Sequence, residues 1–252
     1  MYRKYVPFLL FLFFLYGCNG NKQEEKEDVS VFVDLPQLKA EGEITAVTLY
    51  SSTSYFQYKM QPMGYEYDLI NDFAKSQGLK LNIKVAENPA RLIEMLEAGE
   101  VDVVAYPIPI NNKLKQEVIY CGREDISSQV LIQRANKGDK LLTDVTQLID
   151  KNVYVKPNTK YSERLKNLDE ELGGGIHIQK VENDSIATED LIEMVSLGEI
   201  PYTISDDNTA RLNKTYYWNI NVDLKVSFPQ RSSWVVRKSS PDLAKAIDEW
   251  AS

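Results

Sequence analysis

Leu92-Ile93-Glu94-Met95 recurs unchanged as Leu191-Ile192-Glu193-Met194, 99 residues further along the chain. Without a gap, Gly99-Glu100-Val101 then aligns with Gly198-Glu199-Ile200. Apolar residues three and four apart mark one face of a helix. Asn88 with Pro89 opens the first copy, and Thr188 with Glu189 and Asp190 opens the second. These are the cap, the first-turn proline and the first-turn acids that helix starts favour. Each copy stops at a glycine, the residue suited to the left-handed position that ends a helix. A β-rich run follows, over 101–106 in one copy and 200–205 in the other. One helix–glycine–strand unit therefore occurs twice, and the echo predicts two lobes.

The rest of the chain fits that frame. A β-branched run spans 44–50, and Leu69, Ile70, Phe73 and Ala74 make a helical face within 67–76. Alternation over 79–85 reads as a strand. In the second half, 152–155 reads as a strand, 161–172 as a helix and 176–181 as a strand. Strands alternating with helices predict parallel sheets covered on both faces. The expected fold class is α/β in two lobes. Each lobe is a small doubly wound sheet, and two crossovers, near Arg134 and Lys225, form the hinge. The expected division is residues 43–132 and 226–252 for lobe 1 and 133–225 for lobe 2. One continuous doubly wound domain is the alternative. In either arrangement the ligand site falls at the carboxyl ends of the strands.

The N-terminus predicts the compartment. Arg3 and Lys4 precede an apolar run over 6–16, broken only by Pro7. That run is too short for a bilayer, which needs about 20 residues, and reads as a secretory signal. It ends in Leu15-Tyr16-Gly17-Cys18, which resembles a bacterial lipobox. Residues 1–17 are therefore expected to be removed, Cys18 to carry lipid, and residues 18–42, polar over 19–28, to act as a tether. An uncleaved anchor with a chance cysteine is the competing reading. With Cys18 lipidated, Cys121 has no disulfide partner, so the mature chain must stand on its core. The formal charge of −8 argues against nucleic acid as a partner.

Gly64-Tyr65-Glu66-Tyr67-Asp68-Leu69 and Gly99-Glu100-Val101-Asp102-Val103-Val104 resemble the periplasmic solute-binding proteins of amino-acid transporters. In the second half, residues 189–195, 198–200 and 202–208 follow one another at fixed spacing, continued by Ala210, Asn213, Tyr216 and Tyr217. Together with 156–163 and 233–238, these resemble the N-terminal domain of the membrane-bound lytic murein transglycosylase F family. The resemblance implies a two-lobed periplasmic-binding-protein fold of type II, in a lipoprotein on the periplasmic face of the outer membrane. It also implies a domain that senses a small zwitterionic ligand or peptidoglycan stem peptide and influences a C-terminal lysozyme-like domain. That lysozyme-like half is missing from these residues: its catalytic glutamate precedes a serine, and no Glu-Ser pair occurs in the chain. The chain ends inside an expected helix starting near Pro241, which reads as part of a longer parent, a carbon–oxygen lyase.

The candidate ligand-binding residues are Tyr55, Phe56, Tyr106, Asn111, Asn158, Thr159, Tyr161 and Asp206. The resemblance implies that Asp206 pairs with an α-ammonium; the competing reading is a helix cap. Asn158 to Tyr161 precede a helix whose free N–H groups suit a carboxylate, with simple capping by Thr159 or Asn158 as the alternative. Tyr55 and Phe56 are placed at the cleft mouth, with core packing as the alternative. One departure stands out: the family's carboxylate-clamping arginine falls at Leu114, in Asn111-Asn112-Lys113-Leu114. Lys113 or Lys115 supplies charge but not a planar fork.

Other chemistry lacks its residues. His177 is the lone histidine and has no nucleophile beside it in sequence. Metal-ligand spacing is missing, and Gly173-Gly174-Gly175 lacks the lysine of a phosphate loop. No cofactor or metal is expected. A free-standing receptor of an ABC transporter is the alternative function. A dehydratase on the same fold is a third, disfavoured because the arginine is missing.

Overall fold

The computed structural model describes residues 33–183 and 186–252. The expected signal peptide, the Cys18 lipid site and the tether as far as residue 32 lie outside the described residues. The tether was expected to run to 42, but α1 spans Leu35–Glu41. The Asp34 carboxylate accepts from Leu35 N at 2.8 Å, and the Gln37 side chain accepts from Asp34 N at 3.2 Å. This capping box starts the helix, Gly42 at φ 79° ends it, and Leu38 is buried. Asp34 also accepts from Asp242 N at 3.0 Å and Leu243 N at 2.8 Å, so the same carboxylate starts the closing helix.

The first lobe is built from β1 (Glu43–Leu49), a hairpin of β2 (Phe56–Tyr58) and β3 (Gln61–Met63), α2 (Tyr65–Ser76), β4 (Lys80–Ala86), α3 (Pro89–Glu97), β5 (Val103–Pro109) and β6 (Val118–Ser127). The second holds β7 (Gln129–Arg134), β8 (Asn152–Val155), α4 (Lys160–Glu171), β9 (His177–Lys180), α5 (Thr188–Leu197), β10 (Tyr202–Asp206), α6 (Asp207–Lys214) and β11 (Ile220–Asn221). The chain then returns to the first lobe as β12 (Gln230–Arg237) and α7 (Pro241–Ala251). The sheet orders are β4-β1-β5-β12-β6 and β11-β7-β10-β8-β9.

Both sheets are mixed, where parallel sheets were expected. β12 runs antiparallel to β5 and β6, and β7 antiparallel to β10 and β11. These strands arrive directly from the other lobe, without a crossover helix to restore direction. The first crossing falls at Ser128, between β6 and β7, and not near Arg134. Gln129-Val130-Leu131-Ile132 pairs with β10, and its apolar side chains are buried in the second lobe. The return runs from Lys225, bridged to Val130, to Gln230. Gln129 N donates to Ser227 Oγ at 2.8 Å and Val226 N to Gln129 O at 2.8 Å, so the two crossings lie side by side.

Each sheet packs on both faces. Ile70, Phe73, Trp234, Leu243 and Ile247 fill one side of the first sheet, and Leu92, Leu96, Val104 and Val235 the other. In the second, Leu148, Val153 and Leu165 oppose Leu191, Ile192 and Val195. The echoed helices are α3 and α5, with Leu92 and Leu191 buried at matching places. Gly99 and Gly198 follow at φ 72° and 80°. Asn88 caps α3 as expected, accepting from Arg91 N at 3.1 Å. The cap of α5 is Ala187, not Thr188: Asp190 Oδ2 accepts from Ala187 N at 2.6 Å, so the acid in the first turn takes over the capping.

Candidate functional site

A cleft of about 990 Å³ opens at the carboxyl ends of β1, β4, β5, β8 and β10 and draws side chains from both lobes. Its floor on the second lobe is set by Asp206, the last residue of β10, and by the first turn of α4. Lys160 Nζ lies 2.5 Å from Asp206 Oδ2, and Tyr161 Oη donates to the same oxygen at 3.1 Å. Asp206 makes no side-chain cap bond to α6, and its Oδ1 is buried without a hydrogen-bond partner among the described residues. The capping reading of Asp206 therefore does not describe its contacts. Burial pushes the Tyr161 phenol well above its ordinary range, and the Asp206 charge pushes it the same way. Burial and Asp206 raise Tyr106 too, on the facing lobe. Both phenols stay protonated, and Tyr161 donates to Asp206.

The α4 entry is organised by Thr159. Its Oγ1 accepts from Ser162 N at 3.3 Å and donates to Lys156 O at 2.9 Å, so Thr159 is a helix cap that also lines the cleft. Asn158 turns the chain ahead of it at φ 57°, a left-handed conformation asparagine tolerates.

Three of the eight candidates lie off the cleft lining. Tyr55 is buried and packs edge-on against Tyr67, ring centroids 5.6 Å apart. Phe56 starts the β2–β3 hairpin instead of the cleft wall. Asn111 accepts from Leu114 N at 2.8 Å and holds a 3-10 turn. Leu114 itself packs against the α3 core, so the position of the family arginine is filled by apolar contact.

The structure adds residues not singled out in the sequence. Glu66, in the first turn of α2, is buried and accepts from Trp234 Nε1 at 2.6 Å. Burial raises its carboxyl from 4.5 to about 7, with the indole pulling down and Asp125 pushing up. Arg123 from β6 also lines the cleft. Across the opening, Ser52 N and Oγ donate to Glu189 Oε1 at 3.2 and 3.1 Å, joining the lobes. The Ser51–Ser54 wall is seated by Gly64, at φ 137°, where any side chain would overlap the Ser54 carbonyl. Five carboxylates and the part-protonated Glu66 line the cleft against the three cations Arg123, Lys156 and Lys160, so its field favours a cationic group on the ligand. No grouping of His, Cys, Asp and Glu able to hold a metal occurs among the described residues.

Residues 44–252 match the model of the bacterial extracellular solute-binding proteins, family 3. The chain belongs to this family. Solute-binding proteins of family 3 work outside the cytoplasm, and among the described residues no helix is long and apolar enough to cross a membrane. Membrane-bound lytic murein transglycosylase F of Desulfosudis oleivorans is 31% identical over 85% of this chain and 46% of its own length. The protein of that name from Stutzerimonas stutzeri is 28% identical over 85% of this chain and 44% of its own. The chain thus spans about half the length of the curated relatives it matches. Among solved structures, the arginine-bound form of truncated ArgBP from T. maritima superposes with a TM-score of 0.71 at 20% identity, covering 85% of this chain and 97% of that one. An ancestral amino acid-binding protein, a precursor of cyclohexadienyl dehydratase, gives 0.72 at 19%, covering 86% and 91%. These likenesses establish the two-lobed family 3 fold.

Proposed function

We propose that this solute-binding domain takes amine-bearing amino acids or peptidoglycan stem peptides in its cleft and serves as the sensing half of a lytic murein transglycosylase. The observation that carries the reading is the Asp206 carboxylate. It stands at the carboxyl end of β10, makes no cap bond, and keeps one buried oxygen unpaired. A ligand ammonium brings the donors that oxygen lacks, and leaving it unmet costs about 1–3 kcal/mol. The Tyr161 phenol donates beside it, the protonated Tyr106 phenol faces it, and Asn158 and Thr159 lead into a helix N-terminus suited to a carboxylate. With Leu114 in place of the arginine, charge-assisted bonds worth about 1.5–3 kcal/mol each are lost, so affinity is expected to be on the order of 10 μM or poorer.

Calorimetry on the wild type and Asp206→Ala, with free amino acids and stem peptides, tests the reading. We expect weak binding by the wild type and a loss of about 2–5 kcal/mol in the variant. Equal affinity would remove Asp206 from the site, and no binding by either would leave a domain kept for its shape. The chain alone should release no anhydro-muropeptides from sacculi, since the Glu-Ser pair of the lysozyme-like half does not occur in it. Release by the purified chain would overturn that part. The lipid anchor at Cys18 and placement at the outer membrane belong to the same proposal, and radiolabelled palmitate incorporation that survives Cys18→Ala would contradict them. A free-standing transporter receptor is the second reading. It is favoured by the solved neighbours, one of which, the substrate binding protein of an amino acid ABC transporter, is matched over 91% of its chain. Co-purification with a permease would select it.

A further inference from the structure

Asp206 is not waiting empty. Its Oδ2 is held by the Lys160 ammonium at 2.5 Å, and that ammonium also sits 5.5 Å from the Tyr161 ring centroid. Both side chains are largely buried, 20% exposed for Lys160 and 17% for Asp206. Such a pair is far less screened than a surface ion pair. The backbone fixes this proximity, because Lys160 opens α4 beside the end of β10. The carboxylate is nevertheless not saturated, since Oδ1 has no partner among the described residues. Lys160 therefore neutralises the charge of Asp206 without meeting its full hydrogen-bonding capacity.

We propose that Lys160 is an internal competitor for the ammonium subsite, a tethered amine that an incoming ligand must displace from Asp206. This rests on the reading that Asp206 is the ammonium-recognising pole. The ligand's ammonium enters at the open Oδ1, and two ammonium groups on one buried carboxylate repel each other, so ligand entry drives Lys160 off Oδ2. Apparent affinity is then the intrinsic affinity reduced by the fraction of molecules in which Lys160 has left. If that fraction is about one in ten, the competitor weakens binding about tenfold. Selectivity follows as well: only a ligand that brings its own cation compensates Asp206 when Lys160 leaves. An N-acylated ligand, lacking that cation, leaves the lysine in place.

The test is calorimetry on the wild type, Lys160→Gln, Lys160→Arg and Asp206→Asn, with L-alanine, L-lysine and alanyl-glutamate and their N-acetylated forms. Lys160→Gln removes the cation at similar length and should bind the free amines at least tenfold more tightly, with no gain for the acetylated probes. Lys160→Arg keeps the cation and should stay near the wild type. In the wild type, the 15N signal of the Lys160 ammonium should shift toward that of a solvent-exposed lysine as free amine is added, a readout that needs no variant to fold. If the wild type binds the amines, Asp206→Asn abolishes binding, and Lys160→Gln binds equally or more weakly, the competitor is refuted while the ammonium pole stands. If the Lys160 signal does not move at saturation, the competitor is likewise refuted. If no protein binds any free amine, the ammonium pole fails and the competitor falls with it.

Discussion

Replacing the Glu66 carboxyl by an amide keeps an acceptor for Trp234 Nε1 and removes the charge. The fold raises this carboxyl from 4.5 to about 7, so folding favours the protonated form. Its contribution to stability is therefore fullest below about pH 4.5, declines between 4.5 and 7, and is flat above. Glu66→Gln should match the wild type near pH 4 and exceed it at pH 8 by about 2–3 kcal/mol. Urea melts at the two pH values decide it, and equal gains at both would attribute the effect to packing. Residues of this kind were poorly legible in the sequence. Asp206 and Tyr106 could be placed because strand ends of α/β lobes point at ligands. The Glu66 partner stands 168 residues away, and nothing local links a helix-start glutamate to a strand tryptophan. Tyr55 and Phe56 lie off the cleft lining for a related reason. Local pattern does not show which of two adjacent aromatics has a packing partner, and Tyr55 found Tyr67.

The repeated helices were legible because their signal is periodic and local. Leu92 and Leu191 are buried at equivalent places on α3 and α5, one in each lobe. Truncating either to alanine should cost about 2–5 kcal/mol. The two losses should add in the double variant, because the side chains belong to separate cores. Denaturant melts of the two single variants and the double would reveal coupling as a departure from additivity. Less legible were elements whose direction depends on the other lobe. β7 and β12 have ordinary strand patterns, and only their entry from the opposite sheet makes them antiparallel. The turn at Asp102 shows how a motif can be read without its purpose. Its carboxylate accepts from Thr45 N at 2.9 Å and from Arg237 at 3.0 Å, riveting β1 and β12 behind the cleft.

At the scale of the molecule, the lobes meet at the paired crossings and again at Ser52 and Glu189. The crossings are covalent, but the Ser52–Glu189 contact is exposed and reversible. Removing the Glu189 carboxylate should weaken closure by about 1 kcal/mol, about fivefold in the closed-to-open ratio. Small-angle scattering should then report a larger radius of gyration for Glu189→Ala; an unchanged radius would show that the contact does not hold the lobes. Asp34 adds a different kind of consequence. Because one carboxylate starts both α1 and α7, and Ser240 Oγ donates to Val33 O at 2.7 Å, a pull applied ahead of Val33 is taken up at one corner of the first lobe. The tension bypasses Ser128 and the return strand. Such a pull would load the first lobe, and the second would lie outside its path.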